Sequence, residues 1–532
     1  MNRNYYRLTG AGLLLAAALL LSFAALSATA RAPRSRVATP KTSAPKEASQ
    51  ITTPTVAGNP RFFAYMSPAG VGDSAGEPSI GSNWTKETVF TNHNLNGTDN
   101  SIPNGGSTLY FGGFLPAMLK VTFNDCSSPA GALWEQKPLL SASTPRAAGD
   151  PILFTDQLTG RTFVAQLEGL TPAGATIDIT DDDGDTFTPS DGVVPSDVDH
   201  ETLGGGPYHS PIPPDVNPLY PNAVYYASQS VAEARCLRSD TGGLVFSQGS
   251  APMFTAATCD GLHGHVKVSP ATAPDAGTVY VPDKACGNVP LLNGGNAAVA
   301  FSEDNGITWT VSEIPDGAAE GEWDPSVGIA SDGTIYEGYQ DINGHAKIAV
   351  GHHNPGSLGA PGTITWSPSV DVGSQLGLNN ITFPAVVAGD PDRATFAFFG
   401  TTTADCLNCT PVEDHTGGSN NDPTLFTGVW YLFTASTFDG GQTWFTQNIT
   451  PGDPIQRGPI CGGSTCRNLL DFFGSTIDKE GRVLIGYDDG CVTSGCISGG
   501  ANDYTAKAAI ARQSGGRRMY ATFDPVEPAL PG

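Results

Sequence analysis

The chain has 532 residues, a formal net charge of −25, and only 15% charged residues. Residues 1–58 hold 7 of the 27 Lys and Arg and 1 of the 52 Asp and Glu, which leaves the remainder at −31. A body this acidic repels nucleic acid and anionic lipid, and 65 Gly with 42 Pro argue against a helical protein.

The N-terminus reads as an export signal. Arg3 and Arg7 supply the positive start, LLLAAALLLSFAAL the apolar core, and Ala28-Thr29-Ala30 the small-residue cleavage site. An uncleaved anchor is the alternative, because the apolar run is fairly long. Residues 31–58 are Ala, Pro, Ser, Thr and Lys with almost no large apolar side chains, a composition that predicts a disordered tether. No later stretch is long and apolar enough to span a bilayer. The expected location is therefore secreted or cell-surface, with residues 59–532 as one domain and no membrane insertion once the signal is cleaved.

Ten cysteines in an exported chain predict disulfides. Cys461/Cys466 and Cys491/Cys496 look like local staples, although the two segments could also cross-pair. Cys406 and Cys409 form a C-x-x-C without a second pair at zinc spacing.

From Glu77 onward a pattern recurs. A polar residue, usually followed by Pro, opens a strand; a turn and a second strand follow. The copies begin at Glu77, Asp150, His200, His263, Asp324, Phe383 and Asp471. RFFAYMSP near Arg61 could add an outer strand to the last unit, and RMYATFDP near the C-terminus could supply an inner one.

Within the units a second signature recurs with the spacing S-x-D-x-G-x-T-W. It is complete at Ser302-Asp304-Gly306-Thr308-Trp309 and Thr437-Asp439-Gly441-Thr443-Trp444, and has Phe for Trp at Thr180-Asp182-Gly184-Thr186-Phe187. SDTGGLVF, from Ser239, is a degraded copy with Thr241 in place of Asp. The Asp can accept N–H bonds within its own turn and the Gly permits positive φ, so this is a folding device. The acids of DITDDDGDTF do not fall on a calcium-loop register. Units of this kind predict an all-β chain forming a single β-propeller of four-stranded antiparallel blades, seven blades favoured and six the alternative.

These boxes and their periodicity resemble the Asp-box (BNR-repeat) sialidase-like propellers. The resemblance implies an exported propeller that acts on or recognises extracellular glycans, as a glycoside hydrolase in one case and as a binding propeller for a protein or polysaccharide in the other. Opposite the R-I-P stretch of sialidases stands only Asn59-Pro60-Arg61-Phe62, and Arg393, Arg467 and Arg482 match no family motif. Tyr336 and Glu337 are adjacent, so they face opposite ways on a strand.

If the unit starts begin the innermost strands, symmetry gathers them at one mouth of the central channel. Glu77, Asp150, Asp324 and Asp471 are then the candidate catalytic carboxylates. His200, His263, Arg467 and Asn468 are candidate substrate-binding groups, with Arg467 and Asn468 just ahead of Asp471. The oxygens could instead hold a cation such as Ca²⁺, with no metal ligand set assigned. His265, two residues after His263, reads as a channel residue, and His352-His353 as a solvent-facing loop pair. The expected partner is an extracellular glycan or protein, met by a monomer.

Overall fold

The computed structural model describes Lys41–Ser43 and most of 58–525, with gaps at 86–107, 113–116, 125–130, 141–148, 171–172, 192–193, 195–198, 231–232, 248–250, 260–262, 288–294, 320–322, 358–359, 405–425 and 461–465. The export signal, most of the tether, Cys406, Cys409 and Cys461 lie outside the described residues. Among the described residues no helix is long and apolar enough to cross a membrane.

The strands form seven antiparallel sheets, numbered I to VII here, that follow one another along the chain. Their innermost strands are Ser79–Asn83, Gly149–Thr155, Asp199–Gly206, Lys267–Val268, Ser326–Ile329, Asn380–Ala388 and Gly474–Ile477. Each inner strand lies beside the next, and Gly474–Ile477 lies beside Ser79–Asn83, so the sheets close a ring. Hydroxyls stitch neighbours together. Leu153 N–H donates to Ser79 Oγ at 2.8 Å, Val266 N–H to Thr202 Oγ1 at 3.1 Å, and Val386 N–H to Ser326 Oγ at 2.9 Å.

This is a β-propeller, and its packing explains why its strands read as continuous apolar runs. In Ala223–Gln229, Val224 and Tyr226 pack with Ile152 and Phe163 of sheet II, while Tyr225 and Ala227 pack with Val279 and Val281 of sheet IV. Both faces of a sheet meet a neighbouring sheet, so both registers of a strand must be apolar.

The chain ends share sheet VII. Arg61–Met66 pairs with Lys507–Gly515 as its outer strand, the position expected for RFFAYM. RMYATFDP does not supply the inner strand, which is Gly474–Ile477. Ala521–Phe523 is instead a 3-10 turn, because Met519 is buried and its backbone bonds to Gly481 and Asp390 instead of entering a ladder. Within the stretch read as a tether, Lys41–Ser43 pairs with Gly131–Pro138 of sheet I.

The repeated turn joins the third and fourth strands of its sheets. Asp304 Oδ1 accepts from Ser302 Oγ at 2.8 Å and Thr308 N–H at 2.8 Å, Oδ2 accepts from Thr308 Oγ1 at 2.6 Å, and Gly306 N–H returns to Ser302 Oγ at 2.8 Å. Asp182 and Asp439 repeat the arrangement. Gly306 needs a φ of 80°, which glycine reaches without cost.

The cysteines are paired in part as expected. Cys491–Cys496 is a local disulfide, Cys259–Cys286 a longer one, Cys466 is disulfide-bonded, and Cys236 is a buried free thiol.

Candidate functional site at the start of the inner strands

The inner strands enter through an irregular backbone. Sheets II, III and VI each break register around their unit start, between Gly149 and Ile152, Asp199 and Thr202, and Thr382 and Ala385. Glu77, His200 and Phe383 take positive φ of 54°, 51° and 57°. In sheet VII the residue with that geometry is Leu470, φ 60°, so the equivalent position is one residue before Asp471. Left-handed backbone on a residue with a Cβ costs about 1 kcal/mol or more, and the register breaks re-aim the side chains.

Three starts come together. His200 Nδ1 and an Asp324 carboxylate oxygen lie 2.8 Å apart, with both side chains about nine-tenths enclosed. The His263 ring stands edge-on to His200 at 6.4 Å; His263 is 1% exposed, its N–H donating to Gln229 Oε1. Burial opposes ionisation of Asp324, but His200, and after it Lys284, hold its carboxyl below the usual range.

Behind them stand acids that the unit starts did not single out. Asp283 is fully buried on the second strand of sheet IV; burial pushes its carboxyl up to about 8, against the opposing Lys284 N–H and ammonium. Glu337, on the second strand of sheet V, has no hydrogen-bond partner among the described residues for either carboxylate oxygen, and burial, then Asp283, raises it well above its ordinary value. Tyr336 beside it points away, donating to Pro391 O at 3.0 Å. Asp488, in sheet VII, is a third buried acid raised by burial. The only sequence signal for these three was an acid inside an otherwise apolar strand: YVPDKAC, IYEGY and LIGYDDG.

The other starts stand apart from this trio. Asp471 is gripped by Arg467 through two parallel bonds of 2.7 and 2.6 Å. Asn468 is occupied by Gln456 and Thr505 O. Glu77 is 2% exposed, its N–H bonded to Leu469 O. Asp150 lies in the inner strand of sheet II, and its side chain is outside the described residues.

The inner strands of all seven sheets surround a channel of about 780 Å³, into which Asp324, Phe383 and Asp471 face at the strand starts. His265 lines it too, meeting Phe472 edge-on at 4.7 Å from a non-neighbouring sheet, and burial lowers its imidazole to about 3. One loop reading changes. His352 is exposed as expected, but the His353 side chain is enclosed between Asp275 at 3.3 Å and Glu303 at 3.5 Å, because its strand folds back against sheet IV. Arg482 is paired with Asp478 and Glu480. Among the described residues the one His/Cys/Asp/Glu group compact enough for a metal is Cys259, Asp283 and Cys286, whose sulfurs are joined in a disulfide.

No protein-family model matches the sequence, and no curated protein matches it. Among solved structures it is similar to a Hadza microbial sialidase, Hz136, with 13% identity over 86% of this chain and 94% of that one at a TM-score of 0.39. It is also similar to the six-bladed propeller lectin of Aleuria aurantia, with 11% identity over 70% and 96% at 0.37. An ulvan lyase bound to GlcA(1-4)Rha3S gives 10% identity over 82% and 94% at 0.39. None of these reaches a TM-score of 0.5, and the assignment to the β-propeller fold rests on the strand connectivity above.

Proposed function

We propose that the protein is an exported propeller of the Asp-box, sialidase-like kind that recognises extracellular glycans at the end of the ring where the inner strands begin. The observation that carries this reading is the channel itself, about 780 Å³ and within the size range of small-molecule sites, lined at the strand starts by Asp324 and Asp471. Carboxylates there can accept from sugar hydroxyls, and the Arg467 fork that fixes Asp471 keeps one such acceptor oriented.

A second reading is hydrolysis, and one observation favours it. Asp283 and Asp324 are close enough to influence each other, yet one is driven toward its neutral form and the other toward its charged form. A split pair is what acid–base work on a glycosidic bond requires. Asp324 and Asp471 are then the acids that reach substrate, while Glu77, enclosed in protein, supports them. Against this reading, Asp283 has no exposure.

The test is a glycan array together with fluorogenic sialosides and neutral glycosides, run on the purified protein and on Asp471→Asn. The binding reading expects retained glycans that Asp471→Asn loses, with no turnover. Turnover abolished by Asp471→Asn at unchanged melting temperature selects hydrolysis. Neither retention nor turnover on any glycan ends both.

A further inference from the structure

Lys267 is a cation without a counter-charge. It stands on the inner strand of sheet IV and lines the channel. Among the described residues its side chain makes no hydrogen bond and no ion pair. It is half-buried and is one of the residues that line the channel. Burial lowers the affinity of its amine for a proton. The contrast with Lys507 is instructive: that ammonium is also deep, but donates to Pro68 O and Val71 O at 2.8 Å and pairs with Asp73.

The surroundings of Lys267 are specific. His265, two residues before it and ahead of the strand, also lines the channel and meets Phe472 edge-on at 4.7 Å. The channel beyond is walled by Ile80, Leu153, Val268, Ile329 and Val387. An ammonium among such walls has shed water and gained nothing in return, a costly state unless something charged arrives.

We propose that the channel binds a small organic monoanion with an apolar body, a carboxylate in the simplest case, held by the ammonium of Lys267. The carboxylate supplies the missing counter-charge and the aliphatic walls take the body. Asp324 and Asp471 face the same channel, so a second negative charge on the ligand is repelled; this selects a monoanion over a sulfated or polyuronic chain. The site shares its channel with the proposed glycan site, but its test reads carboxylate against alcohol and does not depend on that reading.

The experiment is calorimetry and thermal melting of the purified protein with octanoate and 4-phenylbutyrate, each against the neutral alcohol of the same skeleton. The carboxylates are expected to bind and raise the melting temperature, and the alcohols to bind about tenfold more weakly or worse. Lys267→Met and Lys267→Gln should each lose the preference for the carboxylate while melting no lower than the parent, since they remove an unpaired charge. Carboxylate affinity should fall with rising pH sooner than an ordinary lysine would allow. Equal affinity for acid and alcohol, unchanged carboxylate binding in both variants, or no binding up to millimolar concentrations overturns the proposal.

Discussion

His200 and Asp324 form a bond that skips a sheet. The histidine belongs to sheet III and the aspartate opens sheet V, yet their side chains meet at 2.8 Å while sheet IV, between them, contributes His263 to the same group. Only side chains aimed at the axis can bypass a neighbour in this way, so the pair ties three sheets at their narrowest point. Asp324→Asn leaves His200 enclosed without its anion and should cost about 3 kcal/mol at neutral pH. The Asp324 carboxyl is held low, so its contribution is complete above its unfolded value and is lost as pH falls through its folded value. Urea unfolding of both proteins should give curves far apart near neutrality that converge in acid. A gap that persists in acid assigns the loss to packing and not to the charge.

Asp283 should behave with the opposite sign. Its carboxyl is pushed up to about 8, so the folded protein holds a proton there that the unfolded chain releases near its ordinary value of 3.8. Stability from this group therefore declines as pH rises from about 4 to about 8 and is level above. Asp283→Asn keeps an oxygen for the Lys284 N–H and removes the titration. The variant should be more stable than the parent at about pH 8 and indistinguishable from it near pH 4. A constant difference across that window would show that Asp283 does not titrate there.

The degraded turn offers a gain-of-stability test. At Ser239–Val245 the architecture survives without its acid: Gly243 N–H donates to Ser239 Oγ at 2.9 Å and Val245 N–H to Thr241 Oγ1 at 3.0 Å. One hydroxyl there does what two carboxylate oxygens do at Asp304. Thr241→Asp with Val245→Thr restores the full set and should add about 1 kcal/mol. Asp304→Ala, which orphans the Thr308 N–H and hydroxyl, should remove about 1–2 kcal/mol. Thermal melts of the two variants should move in opposite directions.

The turn was legible because all of its chemistry lies within eight residues, and so was the closing strand Arg61–Met66, whose alternation stands out after a polar stretch. The grouping at the axis was much less so. That His200 reaches Asp324 while the Glu77 backbone bonds to Leu469 depends on register breaks and positive φ at the strand starts, and no spacing rule encodes those. The Leu470 geometry shows the limit: Asp471 looked equivalent because it was polar, but the backbone places its neighbour there. Asp283 and Glu337 were missed because an acid in a strand reads as an outward-facing residue, whereas here both faces of every sheet are covered. His353 was misread as a loop residue because Gly and Pro follow it, although a strand carries it between Asp275 and Glu303.

The two enclosed lysines separate charge that holds the ring from charge that awaits a ligand. Lys507 reaches from the third strand of sheet VII to the Pro68 and Val71 carbonyls just past the N-terminal strand, and so fixes the segment that closes the circle. Lys507→Met removes the ammonium from Asp73 and from those carbonyls, which keep the Val71 N–H and Ser67 Oγ as donors, and should cost about 1–3 kcal/mol. Because the loss is local to the closure, limited proteolysis should cut near residue 66 well before global unfolding, releasing the N-terminal strand. Lys267→Met, with the same change in volume and charge, should not destabilise at all. If both lysines respond alike, burial and not partnership governs them, and the distinction drawn between closure and channel fails.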